Sequence, residues 1–350
     1  MPHVFARSRH TPGRDAMTRY IAVAPGRVNL IGDHTDYTGG LVFPMAIDRY
    51  TTITFETNDH AITLTSSDEH GEVVLSTNAG AREDVPSWGR YIRAVRDLVP
   101  NPRGIIGDIS TTIPVGAGLS SSAALEVATA LALGFTGSDS ELAHLARAAE
   151  HAATGVPCGI MDQLCIAAAQ TGTATQIDCN TLTITHVPIP HDVKIIVRFI
   201  AHRTLEGSEY ADRVRECAEA ERIIGPLHAA SLSSVEAIDN TLVRNRAVHV
   251  VSENARVRDF ARALSGGDYT TAGDLMTRSH RSLATLFNTS NPAMDSAVDE
   301  LLRTSGVYGA RMTGGGFGGC VVALCAPDAH VDGWHVQPVG KAHIQRVDEG

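Results

Sequence analysis

Three glycine-punctuated segments hold most of the residues whose types and spacing could do chemistry. The first, residues 25–37, sets Arg27, Asn29, Asp33, His34 and Asp36 among Gly26, Gly32 and Tyr37. Cationic, amide, carboxylate and imidazole groups within so short a span suit a small polyhydroxyl ligand. The second, residues 114–124, runs from Pro114 through Gly116, Ala117, Gly118 and Leu119 into Ser120, Ser121 and Ser122, then into an alanine-rich stretch. Backbone without side chains just before a helix is how a protein builds an anion cradle, because free N–H groups and the positive helix end face the ligand. The serines could cap the helix or one could ligate magnesium, and the segment alone leaves both open. No Gly-Lys-Ser/Thr follows the glycines, so this is not a Walker-type phosphate loop. The third segment contains Gly314, Gly315 and Gly316, whose backbone could close on reacting groups.

Two carboxylates complete the set. Asp162 interrupts an apolar run from Gly159 to Ala167, and a buried Asp is costly unless paired. Arg27 is its natural partner, able to keep it ionised and to neutralise charge on a transferring phosphoryl group. The plainer alternative is a helix cap or structural carboxylate. Glu150, twelve residues earlier on a predicted helix, could reach magnesium or could be a solvated helix residue. Together these groups point to phosphoryl transfer onto a small polar metabolite.

The elements that must position them follow from periodicity. Strands are predicted at 19–24, 41–47, 51–55, 61–65, 73–76, 104–113, 193–200, 307–312 and 319–325. Helices are predicted at 88–98, 121–133, 140–153, 209–223, 235–263, 268–286 and 292–303. The composition change at Val187–Pro190 suggests a domain boundary with a ligand cleft between the halves. The expected division is a disordered leader over 1–18, an ATP-binding domain over 19–188 and a C-terminal domain over 189–350.

Bulk properties narrow the function classes. The 350 residues carry a formal charge of −10, the wrong sign for a nucleic-acid binder. No run approaches the ~18 apolar residues of a membrane span. Residues 1–17 are arginine-rich without an apolar core, so they do not read as a secretory signal, and Met17 is a second candidate start. None of the six cysteines is paired at metal-knuckle spacing, and reduced, buried thiols in a cytoplasmic protein are expected. A monomer is expected, with a dimer open.

These motifs also carry a resemblance. Residues 27–37 (RVNLIGDHTDY), 114–127 (PVGAGLSSSAALEV), 155–163 (GVPCGIMDQ) and 308–319 (YGARMTGGGFGG) resemble the signature, ATP-binding, catalytic-aspartate and C-terminal motifs of the galactokinase branch of the galactokinase, homoserine kinase, mevalonate kinase and phosphomevalonate kinase superfamily. The resemblance implies an α+β, two-domain fold: a ribosomal-protein-S5-like N-terminal domain, a ferredoxin-like C-terminal domain and an active site in the cleft. It implies ATP on Pro114, Gly116, Ala117, Gly118, Leu119, Ser120, Ser121 and Ser122, and magnesium near Ser122 and Glu150. Asp162 would be the base and Arg27 the stabiliser. Contacts with the sugar would come from Arg27, Asp33, His34, Asp36, Gly159, Asp162 and Tyr210.

Three departures bear on the acceptor. The family normally has Glu at the position of Asp33, and losing a methylene draws the carboxylate back by about 1.5 Å. Residues 198–200 and 287–295 also differ from the family pattern. The default expectation is phosphorylation of galactose at its anomeric hydroxyl. A same-fold kinase for another monosaccharide or a cyclitol, and a non-catalytic regulator that binds sugar and ATP, are the alternatives.

Overall fold

A computed structural model describes residues 18–59, 61–202 and 209–347. The N-terminal half runs β1 (Arg19–Asn29), β2 (Leu41–Val42), β3 (Pro44–Asn58), β4 (Ala61–Ser66), β5 (Val73–Ser76), α1 (Gly89–Leu98), β6 (Gly104–Thr111), α2 (Ser121–Ala132), α3 (Asp139–Thr154), α4 (Met161–Ala168), β7 (Thr173–Asp178) and β8 (Thr183–Pro188). The C-terminal half follows with β9 (Lys194–Ala201), α5 (Tyr210–Ile224), α6 (Leu232–Val235), α7 (Thr241–Ser265), α8 (Tyr269–Ser282), α9 (Pro292–Leu302), β10 (Val307–Met312), β11 (Gly319–Cys325), β12 (Trp334–Val336) and β13 (His343–Val347).

Three sheets result, in the strand orders β13-β1-β3-β6-β4-β5, β10-β11-β9-β12 and β2-β7-β8. The large sheet shares a core with α1–α4, built on residues such as Val28, Ile53, Val95, Val127 and Leu164. A second apolar cluster joins α5, α7 and α9 to the four-stranded sheet through Cys217, Val250, Leu301 and Val321. Mixed α and β layers with two separate cores match the expected fold class.

Helix ends follow local chemistry. Ser138 and Glu141 form a reciprocal capping box at the start of α3. The predicted helix 235–263 is instead two elements, because the Asn240 side chain accepts from the N–H groups of Leu242 and Val243 and starts α7 afresh. The predicted helix 268–286 is α-helical only to Ser282 and continues as a π-helical turn over Leu283–Phe287. Periodicity does not predict α4, β7, β8, β12 or β13.

Strand β8 ends at Pro188 and β9 begins at Lys194, on either side of the anticipated boundary. One strand crosses that division: β13 pairs antiparallel with β1, Ala22 opposite Ile344. The last strand therefore belongs to the first sheet, and residues 189–350 do not stay within one layer. Of the expected leader, residues 1–17 lie outside the described residues. Among the described residues, no helix is long and apolar enough to cross a membrane.

Candidate active site

A β-bulge at Pro25/Gly26 shifts the register of β1 against β3 and re-aims the strand just before Arg27. The Arg27 side chain is almost wholly buried. Its Nε and Nη2 donate to Asp162 Oδ1 and Oδ2, both at 2.7 Å, and Nη1 donates to the Gly118 carbonyl at 2.7 Å. Burial works against the arginine charge, but the Asp162 carboxylate outweighs it and holds Arg27 above its ordinary pKa. The bidentate fork fixes the plane of the carboxylate as well as pairing its charge. Asp162 sits in the first turn of α4, where the helix dipole also favours an anion.

Ser120 turns towards Asp162 and away from its own helix. It adopts left-handed backbone angles (φ 64°, ψ 46°) ahead of α2 and makes no side-chain cap. Its Oγ donates instead to Asp162 Oδ2 at 2.5 Å. A non-glycine residue in that conformation carries backbone strain, which concentrates at functional sites. Gly116 and Gly118 have positive φ, at 73° and 75°, so the glycine loop ahead of α2 has the backbone form that a cradle needs.

A cavity of about 460 Å³ brings the predicted groups together. Arg27, Asp33, His34, Asp36, Gly159, Asp162 and Tyr210 line it, as do Gly116, Gly118, Ser120–Ser122, Glu150, Gly314 and Gly315. Pro114, Ala117, Leu119 and Gly316 are not among its lining residues. Ala117 and Leu119 are core residues at 0% and 1% exposure, anchoring the loop by their apolar side chains. Gly316, with φ 79°, packs against Thr289, whose carbonyl a Cβ would strike.

The first segment divides by environment. Asp33 Oδ1 accepts from Asn29 Nδ2 at 3.0 Å and from the Gly314 N–H at 3.1 Å, while Oδ2 accepts from Arg311 Nη2 at 2.5 Å. The shortened carboxylate is thus drawn into a buried ion pair, and burial still keeps its pKa raised despite Arg311. Asp36 lies against Gly159, where any side chain would occupy the space of its carboxylate. Burial, then the Asp162 charge, push Asp36 up to about 6. His34 packs against Phe287 and Tyr210, with ring centroids 4.7 and 5.3 Å away. Its Nε2 lies 3.2 Å from the Gly315 carbonyl.

Helix α7 holds this segment from behind. Glu253 accepts from the Gly32 N–H at 3.0 Å, and Asn254 Oδ1 accepts from the Leu41 N–H at 2.7 Å. His249 Nε2 sits 3.2 Å from the Asp33 carbonyl, and burial lowers its pKa to about 4.

Glu150 is a further carboxylate on the cavity wall, beside Ser121 and Ser122. Burial raises its pKa, although the neighbouring Glu126 and Ser122 side chains pull the other way. Glu126, wholly buried on α2, is pushed well above the usual range by burial and by Glu150. Gln163 Nε2 approaches Glu126 Oε2 at 3.5 Å, and Oε1 has no donor. Oxygen ligands alone, one serine hydroxyl and one or two carboxylates, suit magnesium, which takes its remaining ligands from water and substrate phosphates. The uncompensated buried carboxylates fit such a cation. Among the described residues, no group of three or more His, Cys, Asp or Glu could hold a metal by itself.

A second cavity of about 230 Å³ shares Arg90, Tyr91, Val115, Ser121 and Ser122 with the first and continues to Trp88, Ile109 and Leu125. Sequence reading missed Arg90, Trp88 and Tyr91, whose helix shows only ordinary amphipathic spacing. Glu126 did carry a signal: it is the one charged residue in the apolar run 121–132. Cys158 lines the main cavity rather than the core, whereas Cys165, Cys217, Cys320 and Cys325 are buried as expected.

Comparison with known proteins bears directly on this geometry. Residues 10–57 match the galactokinase galactose-binding signature, 90–170 the N-terminal domain of the GHMP kinases and 260–333 their C-terminal domain. The galactokinase of Chloroflexus aurantiacus is 41% identical over 339 residues, covering 89% of this chain and 85% of that protein. The chain belongs to the galactokinase family. The galactokinase of Homo sapiens is 38% identical over 92% of this chain and 86% of its own length. The structure of Lactococcus lactis galactokinase complexed with galactose superimposes with a TM-score of 0.87 at 29% identity, covering 93% and 95% of the two chains. Methanococcus jannaschii mevalonate kinase, at 23% identity and a TM-score of 0.65 over 95% and 98%, shares the fold. The N- and C-terminal domain matches fall on the two halves of the fold.

Proposed function

We propose that this chain is an ATP-dependent galactokinase that transfers the γ-phosphoryl group to the anomeric hydroxyl of galactose, giving galactose 1-phosphate and ADP. The observation that carries this reading is the Asp162 carboxylate, held bidentately by Arg27 and by Ser120 between a glycine cradle and a wall of polar groups. Asp162 orients the acceptor hydroxyl and takes its proton. Arg27 keeps Asp162 in place and contributes positive charge beside the transferring group. Phosphoryl transfer demands positioning and charge stabilisation more than covalent chemistry, and both are supplied by parts whose hydrogen bonds are already made.

The nucleotide phosphates belong at the head of α2, where Gly116, Gly118 and Ser120–Ser122 line the cavity. The adjoining cavity at Trp88, Tyr91 and Leu125 offers aromatic and apolar side chains against which a purine base would pack. Arg90 lines both cavities and offers a cation between base and phosphates. Ser122 and Glu150 would hold magnesium, which when bound neutralises charge on the phosphate oxygens. Asp36, His34, Gly159 and Tyr210 form the acceptor wall.

A second acceptor is favoured by one observation. Asp33 has its oxygens engaged by Asn29, Gly314 and Arg311, which leaves that part of the wall short of a free carboxylate. A sugar or cyclitol lacking a hydroxyl there would then compete with galactose. ADP release with MgATP across galactose, talose, fucose, arabinose and several cyclitols, with product position read by NMR, tests both readings. Turnover on galactose yielding the 1-phosphate is expected. Silence on galactose with turnover on another acceptor would move the assignment to that acceptor.

Asp162→Asn supplies the mechanistic test. Turnover should fall by at least about 100-fold while nucleotide affinity, read by calorimetry with a non-hydrolysable analogue, stays close to that of the wild type. Near-normal turnover in this variant would remove Asp162 from the reaction.

A further inference from the structure

Glu126 lies outside every motif role assigned above, yet it occupies the meeting point of three helices. It stands one turn beyond Ser122 on α2, the i,i+4 spacing that puts both side chains on one face. From there its carboxylate reaches Glu150 of α3 and Gln163 of α4. It is 0% exposed and does not line the cavity, so it backs the Glu150 carboxylate instead of meeting substrate.

A buried charge in such a place is expensive unless something opposite in sign is close. No cationic side chain among the described residues forms a salt bridge with it or with Glu150, and one of its two polar neighbours is a second carboxylate. Gln163 offers one long hydrogen bond, and the other oxygen has no donor. Apolar packing would be served better by a leucine or methionine at this position. What satisfies two facing, buried carboxylates together with a serine hydroxyl is a hard divalent cation.

We propose that Glu126 is a positioning residue of the divalent-cation site, holding Glu150 in place and supplying the second negative charge behind it. The proposal rests on the kinase reading above and deepens it. Outer partners of metal-binding side chains commonly govern metal affinity by about 10–100-fold. Glu126 would act through charge and not through shape, and that distinction is measurable.

The experiment is Mn2+ binding to the full chain with a non-hydrolysable ATP analogue, followed by electron paramagnetic resonance. Glu126→Gln keeps the shape and loses the charge, whereas Glu126→Asp keeps the charge and loses a methylene. Weakening of Mn2+ affinity by about 10–100-fold in Glu126→Gln, with a smaller loss in Glu126→Asp, is the expected result. Unchanged Mn2+ affinity in Glu126→Gln, or a greater loss in Glu126→Asp than in Glu126→Gln, would overturn the proposal and leave Glu126 a packing residue. Wild-type protein that binds no Mn2+ beyond what the free analogue binds would instead overturn the cation site itself. Circular dichroism melts of both variants confirm that the comparison is made on folded protein.

Discussion

At the scale of single residues, the site is a set of carboxylates given different jobs by their surroundings. Asp162 has Arg27 and Ser120, Asp33 has Arg311 and Asn29, and Asp36 has burial and a like charge nearby. Asp36 consequently holds its proton to about pH 6 in the fold, against roughly 3.9 in the unfolded chain. Its raised folded pKa favours the fold below about pH 4, and that contribution is lost as pH rises through about 6. By pH 7 the ionised group opposes folding by at most roughly 3 kcal/mol, reduced because Asp36 keeps partial contact with solvent. Asp36→Asn should therefore be more stable than wild type in urea titrations at pH 7, with the difference closing towards pH 4. The same substitution should raise KM for the acceptor, since the ionised form accepts from sugar hydroxyls. A variant no more stable at pH 7 would remove the electrostatic account of Asp36.

At the scale of elements, the site depends on how closely backbones approach. Helix α8 lies directly on β10, and a Cβ at Gly273 would strike the Tyr308 carbonyl while one at Gly309 would strike Gly273. A glycine inside a helix costs about 1 kcal/mol relative to alanine, so this one is retained for packing. Gly273→Ala should still destabilise the protein by about 1–3 kcal/mol, against the gain that helix propensity alone would bring. Chemical denaturation reads the sign directly. Because β10 carries Arg311 and leads into Gly314, the same variant should also weaken acceptor binding.

At the scale of the whole molecule, buried hydrogen bonds sew the two halves together around the cavity. Thr313 Oγ1 accepts from the Asn29 N–H at 3.0 Å and donates to the Asn29 carbonyl at 2.9 Å. Glu253 of α7 joins the Gly32 backbone to Ser279 and Arg256. Burial alone would raise Glu253, but Arg256, His249 and Arg311 bring it down to about 2. A lowered carboxylate stabilises the fold above its unfolded pKa near 4.3 and loses that contribution as pH falls towards about 2. Glu253→Gln should cost on the order of 3 kcal/mol at pH 7, with the gap to wild type shrinking in acid. Equal stability at pH 7 would mean that the hydrogen bonds matter there and the charge does not.

Much of this was legible in the residues themselves. Glycines 116 and 118, the serines behind them, Arg27 and Asp162 are read directly because each answers a local demand: positive φ, an anion at a helix start, a counter-charge for a carboxylate. The long α2 and α3 are equally local, set by alanine-rich and capped sequences. What local sequence could not carry is partnership across the chain. Whether Ser120 caps its helix or holds Asp162 depends on a residue 42 positions away, and Asp33 meets Arg311 across 278. Helix α4 is too short for periodicity to declare, and β13 is a strand because β1 lies beside it. Local sequence determined the kinds of groups present and most of the elements that carry them, α4 with Asp162 excepted. Only the tertiary structure decided which carboxylate is paired, which is withdrawn and which is left with another carboxylate, because burial and counter-charge are properties of neighbours in space.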